Sequence, residues 1–95
     1  MRLEITKKAQ KDIYVLQGFG YENFGIVHTR KYLIDLTQTF KTIRERPELA
    51  RLRDEYDGEV RMHTHKSHLI FYRIEGDLVK IMRVLSRYQN WPERI

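Results

Sequence analysis

Val60-Arg61-Met62-His63-Thr64-His65-Lys66-Ser67-His68-Leu69-Ile70-Phe71-Tyr72-Arg73-Ile74-Glu75-Gly76-Asp77-Leu78-Val79-Lys80-Ile81-Met82-Arg83-Val84-Leu85 is the stretch on which the fold turns. From Glu59 to His65 it alternates Val60 and Met62 with Arg61, His63 and His65, the two-residue period of a half-buried strand. A turn over Thr64 to Ser67 leads into the apolar run Leu69 to Ile74. Glu75-Gly76-Asp77 then supplies a second turn into Leu78 to Leu85. Three strands joined by tight turns make an antiparallel meander.

A meander with an apolar face needs a cover. Upstream, Met1 to Ile5 alternate as a short strand, and Thr6 offers an N-cap hydroxyl to a helix with Ala9, Ile13 and Leu16 on one face. Gly18 and Gly20 interrupt that pattern. Asn23 is a second capping candidate ahead of Ile26, Leu33, Leu36, Phe40 and Ile43, whose spacing predicts another amphipathic helix ended by Pro47. The expectation is an α+β fold over residues 1–95 as one domain: an N-terminal strand, an αα-hairpin, a charged loop from Pro47 to Gly58, then the meander, with the N-terminal strand joining the sheet.

Composition narrows the chemistry. The 95 residues contain no cysteine, which removes disulfides, thiolate metal sites and a cysteine nucleophile, and fits a cytoplasmic setting. No apolar run approaches the ~20 residues that span a bilayer, so no membrane partner is expected. The formal charge of +5 and pI near 9.6 point to an acidic partner, and charge alone does not separate nucleic acid, an acidic protein segment and an anionic membrane surface. A chain of this length buries only about two-thirds of its unfolded surface, so a stabilising partner is also expected.

Several strings, taken together, resemble the ParE branch of the ParE/RelE toxin superfamily. They are Thr6 to Ile13, Phe24-Gly25 with Arg30-Lys31-Tyr32-Leu33, Phe40 to Pro47, Val60 to His63, Ser67 to Ile74 and Ile81 to Leu85. The resemblance covers the whole chain. It implies a RelE/ParE-like fold and a toxin silenced by a cognate antitoxin whose disordered tail folds onto it. It further implies DNA gyrase as target, and operator DNA reached only through the antitoxin. The RelE branch instead cleaves ribosome-bound messenger RNA.

Both activities have candidate residues. A strand places Arg61, His63 and His65 on one face, and Arg83 with Arg87 could add charge. A ribonuclease would draw its acid, base and phosphate clamp from Arg87, His63, His65 and Tyr88. Against that, the RelE-type arginine three residues before the central-strand tyrosine is Leu69 here, and Ser86 stands where the family usually has histidine. The expected partner-binding set is Arg61, His63, Arg83, Arg87, Tyr88 and Trp91. For Trp91 there is the equal alternative of folding back to cap the core. Tyr72 and Phe71 are expected in the core, and His68 in a structural hydrogen bond. His63 and His65 lack the further ligands a metal needs, so neither metal nor cofactor is expected. A degenerate toxin that serves only its antitoxin in repression is a third reading.

Overall fold

The computed structural model describes residues 1–95. Strand β1 (Arg2–Ile5) leads into helices α1 (Lys7–Phe24) and α2 (Ile26–Glu45), followed by β2 (Arg51–Leu52), β3 (Arg61–His65), β4 (His68–Glu75) and β5 (Leu78–Ser86). The strands form one sheet in the order β1-β5-β4-β3-β2, with β1 parallel to β5 and every other pair antiparallel. This is the expected α+β layout with one strand added. β2 lies inside the stretch expected to be loop, and it forms because Arg61 and the backbone pull that stretch alongside β3. The Arg61 guanidinium donates to Glu48 O at 3.1 Å and Ala50 O at 2.7 Å, and Arg53 N–H donates to Val60 O at 2.7 Å.

β4 sits at the centre of the sheet, and Leu69, Ile70, Phe71 and Tyr72 are all buried, as an unbroken apolar run requires. Pleating divides them between two faces. Ile70 and Tyr72 join Val79, Ile81 and Val84 of β5 and Ala9, Leu36, Phe40 and Ile43 of the helices. Leu69 and Phe71 join Val60 and Leu85 on the opposite face, with Tyr56, Met62 and Ile95 laid over them. Each fully buried side chain of this size contributes about 1.5–3 kcal/mol. The outer face has no helix above it.

Both hairpin loops have two residues, Lys66-Ser67 between paired His65 and His68, and Gly76-Asp77 between paired Glu75 and Leu78. In each the first residue has positive φ, 54° at Lys66 and 60° at Gly76, as the primed turns of two-residue hairpins demand. β5 carries a bulge. Arg83 pairs with Phe71 and Ile81 with Tyr72, so Met82 has no partner. The start of α1 grips this bulge. Thr6 caps the helix by accepting from Ala9 N–H at 3.2 Å, and its hydroxyl donates to Met82 O at 3.2 Å. One turn later the Asp12 carboxylate accepts from Val84 N–H at 3.0 Å and from Arg83 through Nε at 2.7 Å and Nη2 at 2.9 Å.

The helical hairpin departs from the sequence expectation. α1 continues through Gly18 and Gly20 to Phe24, and Gly25 alone connects it to α2 at φ 82°. Asn23 does not cap α2; its side chain donates back to Phe19 O at 2.8 Å, at the end of α1. Gly20 is a packing residue, since a Cβ there would lie 2.7 Å from Thr29 Oγ1 of α2, whereas one at Gly18 would meet nothing within 4 Å. Alanine normally gains up to about 1 kcal/mol over glycine inside a helix. Gly18→Ala is therefore expected to raise the melting temperature and Gly20→Ala to lower it, with Thr29→Ala restoring the second. Equal shifts for the two single variants would show that the helices do not touch at Gly20.

Candidate partner-binding cleft

The apolar residues of α1 cover more of its circumference than the sheet can bury. Ile13 and Leu16 pack on the core, while Val15 and Phe19, four residues apart and so on one face, stay about 60% exposed. Phe24 is equally exposed and stacks edge-on to Phe19, with ring centroids 6.1 Å apart, and on His28 at 5.7 Å. These side chains wall a cleft of about 690 Å³ between the helical hairpin and the end of β5. Its other sides are Tyr32 of α2, Ser67 of the β3–β4 turn, His68 at the start of β4, and Tyr88 and Gln89 just beyond β5. Residues 13–29 contain a single formal charge, Glu22, in a chain that is 33% charged. Exposed aromatics in a charge-poor segment give this cleft the composition of a candidate interaction surface.

The base of the cleft is polar and closely tied. Tyr32 Oη lies 2.6 Å from His68 Nδ1, and its ring meets the His65 and His68 rings edge-on at 5.5 Å. Thr39 Oγ1 lies 2.8 Å from His65 Nδ1. Lys66 sits over the Tyr32 ring and pairs with Asp35 at 2.9 Å, pulling that carboxyl below its ordinary range. These contacts fasten the tip of the β3–β4 hairpin to α2, and His68 takes the structural role expected of it.

Burial holds His63, His65 and His68 below their ordinary value of 6.5; Lys66 pushes His65 further in the same direction, and His65 does so for His68. The unfolded chain therefore takes up protons before the folded one as pH falls. Stability is complete above pH 6.5 and declines from there toward the lower folded values. The melting temperature at about pH 5 should lie below that at pH 7, with His68→Gln flattening the slope. A melting temperature constant over that interval would contradict the burial of these rings.

The structure redistributes the residues expected to bind partners. Arg61, His63 and His65 do share a face, but their cross-strand partners are Tyr72, Ile70 and His68, so that face turns toward the helices. Arg61 is spent on the Glu48–Ala50 backbone, and His65 turns to Thr39 and Tyr32. Arg83 is not part of a free basic face: β4 separates it from β3, and it is paired with Asp12, 22% and 14% exposed. The bulge at Met82 is what brings it within reach of α1. The expected grouping of Arg61, His63 and Arg83 is thus corrected, and neither His63 nor His65 lines the cleft that Tyr88 lines, His65 only backing Tyr32 at its base.

Arg87 and Tyr88 are exposed. Arg87 N–H donates to Ser67 O at 2.9 Å, and Tyr88 is 83% exposed at the mouth of the cleft. Trp91 folds back on the outer face, edge-on to Phe71 at 6.0 Å with Arg53 5.8 Å from its ring. No three His, Asp or Glu side chains are grouped to hold a metal ion, and no helix is long and apolar enough to cross a membrane. Sequence reasoning missed Val15, Phe19 and Phe24, whose visible signal was the charge-poor run itself.

A family model described as ParE toxin of type II toxin-antitoxin system, parDE, matches residues 3–91. The chain belongs to the ParE toxin family. Among curated ParE relatives, Toxin ParE1 of Caulobacter vibrioides is 26% identical over 86 residues, covering 90% of this chain and 88% of that protein. The ParE fold is matched by a solved chain described as the chromosomal ParDE TA system from P. aeruginosa. That chain has a TM-score of 0.79 and 20% identity, over 90% of this chain and 95% of that one.

Proposed function

We propose that this ParE-family chain is a cytoplasmic toxin that inhibits DNA gyrase by binding it, and that its cognate antitoxin silences it by laying an acidic amphipathic helix in the cleft. The observation that carries the reading is the cleft: a volume of about 690 Å³ walled by the exposed Val15, Phe19 and Phe24 in a protein of charge +5. Helices dock in such grooves through apolar residues three and four apart, and glutamates on their outer side would meet this chain's excess of cations. Tyr88 stands at the mouth to meet the partner, next to the exposed Arg87. Operator DNA is reached only through the antitoxin. His65 and His68 are committed to structural contacts with Thr39 and Tyr32, which favours a binding role over acid–base chemistry.

The test is expression of the chain alone, with gyrase supercoiling and cleavage of ribosome-bound messenger assayed on purified protein. Lost supercoiling with intact messenger supports the proposal; cleaved messenger with normal supercoiling moves the chain to the ribonuclease reading. Phe19→Glu is exposed enough to fold, and should raise the antitoxin dissociation constant about 30-fold, the equivalent of an aromatic hot spot of about 2 kcal/mol. An unchanged constant removes the cleft from the binding site.

A further inference from the structure

We propose that the segment after β5 couples the cleft to the outer face of the sheet, so that a helix seated in the cleft loosens Trp91 from Phe71. The inference rests on the cleft reading above. It starts from one short segment that touches both sides of the sheet. Tyr88 and Gln89 line the cleft, on the side of the helices, while Trp91 and Ile95 pack against the outer cluster.

Both ends of this segment hang on Ser86, which itself lines the cleft. Ser86 N–H donates to Gln89 Oε1 at 3.0 Å, and its hydroxyl accepts from Tyr88 N–H at 3.2 Å. Its carbonyl accepts from Gln89 N–H and from the Trp91 indole N–H, both at 3.4 Å. Bonds of that length are weak. Beyond them Trp91 is held by the edge-on stack with Phe71 and by Arg53, contacts worth on the order of 1 kcal/mol each. No backbone hydrogen bond outside the helices and strands involves residues 90–95.

A helix entering the cleft meets the Gln89 side chain first among these groups. Displacing it takes the acceptor from Ser86 N–H, opens the turn, and withdraws the Ser86 carbonyl from the indole. The Ser86–Gln89 turn is thus a two-position element that both surfaces bias. Filling the cleft then rearranges the outer face around Trp91 without the helix touching it.

Trp91 is the sole tryptophan of the chain, so its fluorescence reads the segment directly. Acrylamide quenching is compared for the free chain and for its complex with the antitoxin encoded beside it, any tryptophan of the antitoxin being replaced by phenylalanine. Trp91 is 36% exposed, so release toward full exposure should raise the quenching constant about two- to threefold. Gln89→Ala should produce part of that rise in the free chain. A complex that Phe19→Glu weakens but whose Trp91 quenching is unchanged or lower overturns the coupling and leaves the cleft reading standing. A complex indifferent to Phe19→Glu overturns both.

Discussion

Phe71→Ala is expected to lower the unfolding free energy by about 3–5 kcal/mol. A chain of 95 residues has only about 5–14 kcal/mol in total, so the variant should be marginal at physiological temperature. Phe71 is fully buried in the central strand, and its ring lies edge-on between Tyr56 at 5.7 Å and Trp91 at 6.0 Å. Removing it deletes a large apolar side chain and the seat of both aromatics. The cover on this face is loop and tail, which can settle into the cavity more readily than packed helices can. Ile70→Ala, on the helix side of the same strand, should therefore cost more per Å³ removed. Denaturant unfolding of both variants measures the difference. A loss below about 1 kcal/mol for Phe71→Ala would mean that the outer cluster is not a second core.

Asp12→Ala should cost about 2–4 kcal/mol, through charge rather than volume. Its carboxylate satisfies three donors at the bulge: two from the Arg83 guanidinium and the Val84 amide. The pairing holds Arg83 above its ordinary range despite the opposing effect of burial. Alanine leaves a largely covered cation and a strand amide without an acceptor, which is costlier than never having had the pair. The double variant Asp12→Ala with Arg83→Met should accordingly recover part of the loss. If the single variant unfolds at the wild-type denaturant concentration, solvent already screens the pair and the grip of α1 on β5 lies elsewhere.

Apart from the two-residue β2, the sheet was legible in the sequence because periodicity and turn residues agree there: alternation at β3, an unbroken apolar run at β4, and Gly76-Asp77 between β4 and β5. The helix boundaries were less so. Gly18 and Gly20 read as breakers because glycine weakens a helix locally, yet at Gly20 the close approach of Thr29 outweighs that local cost. The misplacement of Arg83 has a similar origin. A bulge changes which residues share a face, and no residue type in Ile81-Met82-Arg83-Val84 announces one. The cleft was hidden for a different reason. Val15, Phe19 and Phe24 fit the ordinary apolar pattern of a helical hairpin, and only the finished packing shows that nothing in the chain covers them.

The parallel pairing of β1 with β5, Arg2 opposite Leu78 through Ile5 opposite Ile81, also fixes when the molecule comes into being. A nascent chain can wind its helical hairpin as soon as that segment emerges, but the strand it must rest on, Leu78–Ser86, is translated only after β1 to β4. Until Leu78–Ser86 clears the ribosome, β1 has no neighbour, β4 lacks one of its two, and the helix-side core lacks Val79, Ile81 and Val84. Closure across so much of the chain is slow compared with local folding. A copy that still lacks β5 has neither its sheet nor its helix-side core in place.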